Sequence, residues 1–266
     1  MNSGWRVLLV AMAVGCLSVL GVVAAAQDGS ATVTVFHAVP ADDGFPADVY
    51  LNGDLIIDGF IFAASSDPAE IPAGDQTIEI YPEGADPSAT EPAVADTVTL
   101  EANRNYSIIA QILDGATVLS VYVNDISPVD AGQARLTVRQ ASALPEVGVE
   151  VDGESLFASL PAASENTTDI DPGSHTVVFV SEEATVGEET VSLGEGALTV
   201  LYAVGADQET FGVLVQQIGA LDTAPAGVPS GTGGLKARDP LAPVAVMVGV
   251  AGILIAMGLL VREKSI

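Results

Sequence analysis

The sequence predicts an all-β fold: two tandem immunoglobulin-like antiparallel β-sandwich domains, plus one C-terminal transmembrane helix. Three observations carry that reading. Short runs rich in β-branched residues alternate with Gly, Pro and Asn turn signals, as in sandwiches. The order of those runs repeats once, which points to duplication. Leu241–Val261 is 21 residues without a charge, and at about 1.5 Å per helical residue it spans a hydrocarbon core of about 30 Å.

Taken in order, residues 1–26 read as a secretory signal. Arg6 supplies the basic start, Val7–Val23 the apolar stretch, and Ala24-Ala25-Ala26 a cleavage site before Gln27. Cys16, the one cysteine, lies inside this stretch. The tetrapeptide ending at Cys16 is similar to a lipoprotein box but lacks its usual Leu. One cysteine excludes a disulfide framework and a Cys-based zinc site.

Residues 27–130 form the first predicted domain. Its strand runs are Thr32–Phe36, Asp48–Leu51, Thr77–Tyr81, Thr97–Leu100, Tyr106–Ala110 and Val118–Val123, with the turn dipeptide Asn52-Gly53 after the second. Residues 131–219 form the second domain and repeat the order. Thr137–Ala141 matches Thr34–Ala38, Val149–Gly153 matches Val49–Gly53, and Ile170–Val177 matches Ile71–Ile78. Thr190–Leu193 matches Thr97–Leu100, Leu198–Ala203 lies where Ser107–Ala110 lay, and Phe211–Ile218 answers Leu119–Ile126.

Residues 220–240 are rich in Gly, Pro, Ser and Thr and read as a flexible stalk. Within it, Val228–Gly233 is similar to a sortase sorting signal, with Val in place of Leu and one extra residue before Thr232. The span 241–261 follows, with Pro243 in its first turn, and 262–266 is the cytoplasmic tail. With the signal removed, the expectation is a single-pass protein of the cell membrane with its N-terminal domains extracellular.

Charge narrows the function classes. Asp and Glu number 35 against 8 Lys and Arg, a formal net charge of −27. Phosphate neutralisation needs clustered cations, so nucleic acid is excluded as a partner. With 49% hydrophobic residues the chain is not wholly disordered.

Phe36-His37-Ala38-Val39-Pro40, followed by Ala47-Asp48-Val49-Tyr50-Leu51-Asn52-Gly53, resembles the opening of the family called domain of unknown function 4397 (DUF4397). Ile71–Gly74 and Leu100–Ala110 are similar to its later strands. The resemblance covers Ala31 to Ile218, both copies. The second copy departs where His37 becomes Gln140 and Tyr50 becomes Glu150. The resemblance implies exported, often anchored β-sandwich modules and no settled activity.

Candidate chemistry is sparse. His37 and His175 are the only histidines and fall at non-equivalent places in the two copies. Neither sits in a metalloprotease or nucleophile-elbow motif, and each is expected to satisfy a local hydrogen bond. Asp42-Asp43 with Asp48, Glu182-Glu183, Glu188-Glu189, and Asp125 with Asp130 could each offer oxygens to calcium. None has the calcium-loop pattern, and a solvated acidic surface is the expected reading. Asn105-Tyr106-Ser107 and Asn166-Thr167-Thr168 fit the glycosylation sequon, the first in a strand and the second in a loop. No residue is assigned as catalytic, cofactor-binding or metal-binding, and no cofactor is expected. The expected role is a non-catalytic membrane-anchored surface protein that presents two β-sandwiches for adhesion or ligand interaction. Its partners are the membrane and an unidentified envelope or extracellular component. Convergence of Asp42 to Asp54 would favour a calcium-dependent carbohydrate-binding module, and a cleft joining His37 to carboxylates a hydrolase.

Overall fold

The computed structural model describes residues 29–40, 46–182, 184–219 and 221. The predicted signal peptide, the membrane span, the tail and, apart from Leu221, the stalk lie outside them. Among the described residues no helix is long and apolar enough to cross a membrane.

Sixteen strands account for most of the described chain. The first eight are β1 (Ser30–His37), β2 (Ala47–Leu51), β3 (Asp54–Phe60), β4 (Ala69–Pro72), β5 (Gly74–Pro82), β6 (Val94–Leu100), β7 (Asn105–Leu113) and β8 (Ala116–Val123). The second eight are β9 (Ala134–Gln140), β10 (Glu146–Val151), β11 (Glu154–Pro161), β12 (Glu165–Ile170), β13 (Gly173–Ser181), β14 (Ala184–Leu193), β15 (Leu198–Val204) and β16 (Gly212–Ile218). Each set makes two four-stranded sheets, ordered β4-β1-β7-β8 and β3-β2-β5-β6, then β12-β9-β15-β16 and β11-β10-β13-β14. The two halves therefore share one topology, as the repeated sequence order predicts.

The strand order corrects two expectations. In an immunoglobulin constant domain the first two strands share a sheet; here β1 and β2 lie in opposite sheets. Nor are the sheets wholly antiparallel. β1 pairs parallel with β7 from Thr32↔Asn105 to His37↔Ala110, and β9 pairs parallel with β15. Alternation of apolar residues is blind to strand direction, and parallel pairing closes a long loop that no local pattern reports. Register also moves one proposed match. Ala110 faces Leu119 and Ala203 faces Val213, so Val213, not Phe211, answers Leu119.

Turn chemistry explains the hairpins. Asn52 and Gly53 both have positive φ (53° and 87°), as do Asp152 and Gly153 (53° and 83°). Two consecutive positive-φ residues make the tight hairpin turn whose twist suits β strands, and Asn-Gly and Asp-Gly favour it.

Burial shows how the halves join. In the outer strand β5, Gln76, Ile78 and Ile80 point inward and alternate with more exposed residues. In β9 and β15, by contrast, all seven residues are buried. One face of each inner sheet fills its own sandwich: Val33, Val35 and Ile108 in the first, Leu136, Val138 and Leu201 in the second. The opposite faces pack on each other. Phe36, Ala38, Ile109 and Tyr122 form one apolar cluster with Leu198, Val200, Tyr202 and Leu214.

This seam carries a buried polar network. Arg139 is 1% exposed, yet its guanidinium has good partners. Nε donates to Glu165 at 2.7 Å and Nη1 donates to the Tyr202 hydroxyl at 3.0 Å. Its Cζ lies 4.6 Å from the centre of the Tyr122 ring, across the seam. A desolvated cation on an aromatic face contributes about 2 kcal/mol, which helps offset removal of the charge from water. Tyr202 stacks on Phe36 with centroids 4.3 Å apart, and its hydroxyl reaches Ser107 Oγ at 2.8 Å and Gln216 Oε1. Burial pushes this phenol up to about 12, so it stays a proton donor. Arg135 secures the connection between the sandwiches: Nη1 donates to the carbonyls of Asp125 (3.2 Å) and Ser127 (3.0 Å), and Nε to Asp169 (2.9 Å).

Tyr202→Phe leaves Arg139 Nη1 short of its buried acceptor and is expected to cost about 1–3 kcal/mol. Urea unfolding of the variant should shift one transition shared by both sandwiches; loss confined to one of two separate transitions would contradict a common seam.

Candidate functional site

Both histidines stand where the other copy has glutamine. Gln140 occupies the His37 position; the main-chain N–H of Val39 donates to His37 Nδ1 at 3.3 Å, and that of Ser142 to Gln140 Oε1 at 3.2 Å. The ring nitrogen and the amide oxygen accept at the same place, just past β1 and β9. His175 lies at the position of Gln76. Asn52 Nδ2 donates to Gln76 Oε1 at 2.7 Å, Gln76 Nε2 donates to the Pro72 carbonyl, and the N–H of Thr77 donates to Asn52 Oδ1. In the second copy His175 Nδ1 lies 2.7 Å from Asp152 Oδ2, Nε2 lies 2.9 Å from the Asp171 carbonyl, and the N–H of Thr176 donates to Asp152 Oδ1. The same three-membered latch thus holds each β2–β3 or β10–β11 turn to its sheet. The Thr176 N–H first, and His175 second, hold the Asp152 carboxyl below its ordinary range.

Asp42, Asp43 and Glu183 lie outside the described residues, and among those described no three His, Cys, Asp or Glu side chains form a metal-binding group. Asp48 is structural. It is buried at the irregular register between β2 and β3, where its Oδ1 accepts from Gly59 N–H (2.9 Å) and Oδ2 from Gly84 N–H (2.8 Å). Burial alone would raise its pKa; the two N–H donors outweigh that and hold it below the ordinary carboxylate value. Asp125 binds Arg135 at 3.0 Å, and Glu188 and Glu189 lie along β14. Asn105 Oδ1 accepts from Asn124 Nδ2 at 2.6 Å, so the first sequon asparagine is engaged at the start of β7. Asn166, expected in a loop, is in the edge strand β12 and exposed.

A concavity lies elsewhere among the described residues. A cavity of about 410 Å³ enters the first sandwich between its two sheets. Val33, Val35 and Ile108 form one wall, Val49, Ile57 and Ile78 the other. The lips are the edge strands β3 and β4, with Ser66 and Asp67 among the residues at the opening. Two local features mark its lip. Pro68 has no N–H to donate, and β4 pairs with β1 from Ala69 to Pro72 with one further bridge at Phe36↔Ser65, whereas β12 pairs with β9 without a break from Glu165 to Ile170. At the position of Ile57, opposite Val49, the second sandwich has Phe157 opposite Val149, packed against its core. Val33 likewise corresponds to the larger Leu136. An apolar, partly enclosed space of this volume with few polar groups is the form that small-molecule sites take.

Sequence reasoning missed this cleft, as well as Arg139, Tyr202 and Asp67. The one available signal was Asp67-Pro68 beside an apolar run, a break in an edge strand.

Residues 31–150 match the family described as Domain of unknown function (DUF4397). The match covers the first sandwich and reaches β10, and it leaves most of the second copy unmatched. No curated protein matches the chain. Among solved structures, similarity extends to a candidate cell adhesion protein from Bacteroides ovatus ATCC 8483, 10% identical, over 72% of this chain and 98% of that one, with a TM-score of 0.24. A second candidate cell adhesion protein, from Bacteroides fragilis NCTC 9343, is 9% identical over 74% of this chain and 99% of that one, with a TM-score of 0.22.

Asp48→Asn keeps the shape but replaces one acceptor with a donor, leaving Gly59 or Gly84 N–H unpaired at a cost of about 1–3 kcal/mol. Because Asp48 has a lowered folded-state pKa, its contribution is present above the unfolded value of about 3.9 and is lost as pH falls through the folded value. Urea midpoints measured from acid to neutral pH should show the wild-type advantage growing as pH rises through that window.

Proposed function

We propose that this chain is a non-catalytic binding protein of the cell surface, exported by its N-terminal segment and held to the membrane by Leu241–Val261, with the cleft of the first sandwich as its ligand site. The observation that carries this reading is the cleft itself, an apolar space between two sheets; at the position of its wall residue Ile57 the second sandwich carries the larger Phe157. The placement of the histidines supports a binding role over hydrolysis. Glutamine stands at each histidine position in the other copy: Gln140 accepts as His37 does, and Gln76 joins the same two positions as His175 with the bond to the turn residue reversed. Of the aspartates from Asp42 to Asp54 whose convergence would favour calcium, Asp48 turns its carboxylate to the N–H groups of Gly59 and Gly84.

The second sandwich then acts as a platform. Its inner sheet covers the outer face of the β4-β1-β7-β8 sheet, so the free edges β3 and β4 remain to present the cleft. A net charge of −27 keeps such a surface solvated and repels anionic neighbours.

Protease treatment of intact cells tests the placement. Cleavage in the Gly- and Pro-rich segment 220–240 should release a fragment recognised by antibody against the sandwiches. Protection until the cells are broken would overturn a surface location.

A further inference from the structure

We infer that the cleft of the first sandwich takes a small amphiphile with one apolar chain and a cationic head group, a conclusion that rests on the binding reading above. The chain belongs between the sheets, where the walls are Val, Leu and Ile side chains from both. Three polar residues line the space: Ser66, Asp67 and Gln76. Gln76 is committed, since its amide oxygen accepts from Asn52 and its amide nitrogen donates to Pro72. Ser66 Oγ accepts from Val35 N–H and donates to the Asp67 carbonyl. That leaves the Asp67 carboxylate, exposed at the mouth and without a side-chain partner among the described residues. A ligand whose tail fills the apolar space brings its head to this carboxylate. An ammonium is attracted there, an alcohol is neutral to it, and a carboxylate or phosphate is repelled both locally and by the net charge of −27.

The second sandwich supports the assignment by contrast. At the equivalent positions it has Leu136 for Val33 and Phe157 for Ile57, so the same fold accepts larger side chains where the first sandwich keeps space. Val33→Leu with Ile57→Phe therefore fills the cleft with residues this topology already holds.

Photolabelling of the full chain tests the inference. The probes are decyl chains bearing a terminal diazirine and an ammonium, hydroxyl or carboxylate head, used below micelle formation, with labelled peptides mapped by mass spectrometry. The ammonium probe should label Ile56–Ile57 and Ser66–Ile71. It should be preferred over the alcohol by up to about fivefold, the size of an exposed ion pair, with the carboxylate probe last. Labelling should fall at least tenfold in V33L/I57F. Asp67→Asn, a surface change that leaves the core intact, should abolish the preference for ammonium while labelling persists. Equal or stronger labelling by the carboxylate probe would overturn the head-group assignment and leave binding in the cleft standing. Labelling elsewhere only, or labelling of the cleft unchanged in a folded V33L/I57F protein, would overturn both.

Discussion

The seam between the two inner sheets sets the terms for everything else in this structure. β1, β7, β9 and β15 are covered on both faces, by their own sandwich on one side and by the other sandwich's inner sheet on the other. Arg139 is the most demanding member of that seam. A buried guanidinium is tolerable only with its charge matched and its N–H groups used, and Glu165, the Tyr202 hydroxyl and the Tyr122 ring supply those partners. Arginine suits this place better than lysine because its planar group can stack and donate in fixed directions at once. With the inner faces consumed, a ligand can reach a core only at an edge. β4, shortened by Pro68, is the edge that yields.

The two halves share one scaffold and differ within it. The latch at the hairpin turn is Asn52–Gln76 in one copy and Asp152–His175 in the other; the positions joined are the same, but the direction of that bond reverses, Asn52 donating in the first and Asp152 accepting in the second. Core volume diverged in the opposite sense. The second copy gained Phe157 and packs Phe179 against Phe211 with centroids 5.5 Å apart; the first kept Ile57 and its cleft. Hydrogen-bond geometry tolerates exchange between residues that present acceptors alike. Packing tolerates a void only at a cost in stability, so a cleft of about 410 Å³ in the first sandwich points to use.

Much of the architecture was legible in the residues. The runs at Thr32–Phe36, Thr77–Tyr81 and Tyr106–Ala110 are strands, Asn52-Gly53 is a hairpin turn, and the repeat is a shared topology. β3 and β4 escaped notice for physical reasons. Leu55 and Ile56 in β3 are consecutive and exposed, which breaks alternation, and β4 is four residues containing a proline. The parallel pairing of β1 with β7 escaped because pairing direction leaves no local trace. Nothing in the run Thr137–Ala141 marks Arg139 as buried, and only the packing of the first sandwich on the second turns that side of β9 into an interior. The cleft is the least legible feature: it is volume left by small side chains, and a sequence lists what is present.

One seam holds both sandwiches together as a single folding unit, while the first sandwich is opened at one edge. Amide hydrogen exchange of the full chain reads both features. Exchange should be matched and slowest in β7 and β15, and faster in β3 and β4 than in their counterparts β11 and β12. Separate protection levels for β7 and β15, or equal exchange at the two pairs of edges, would contradict it.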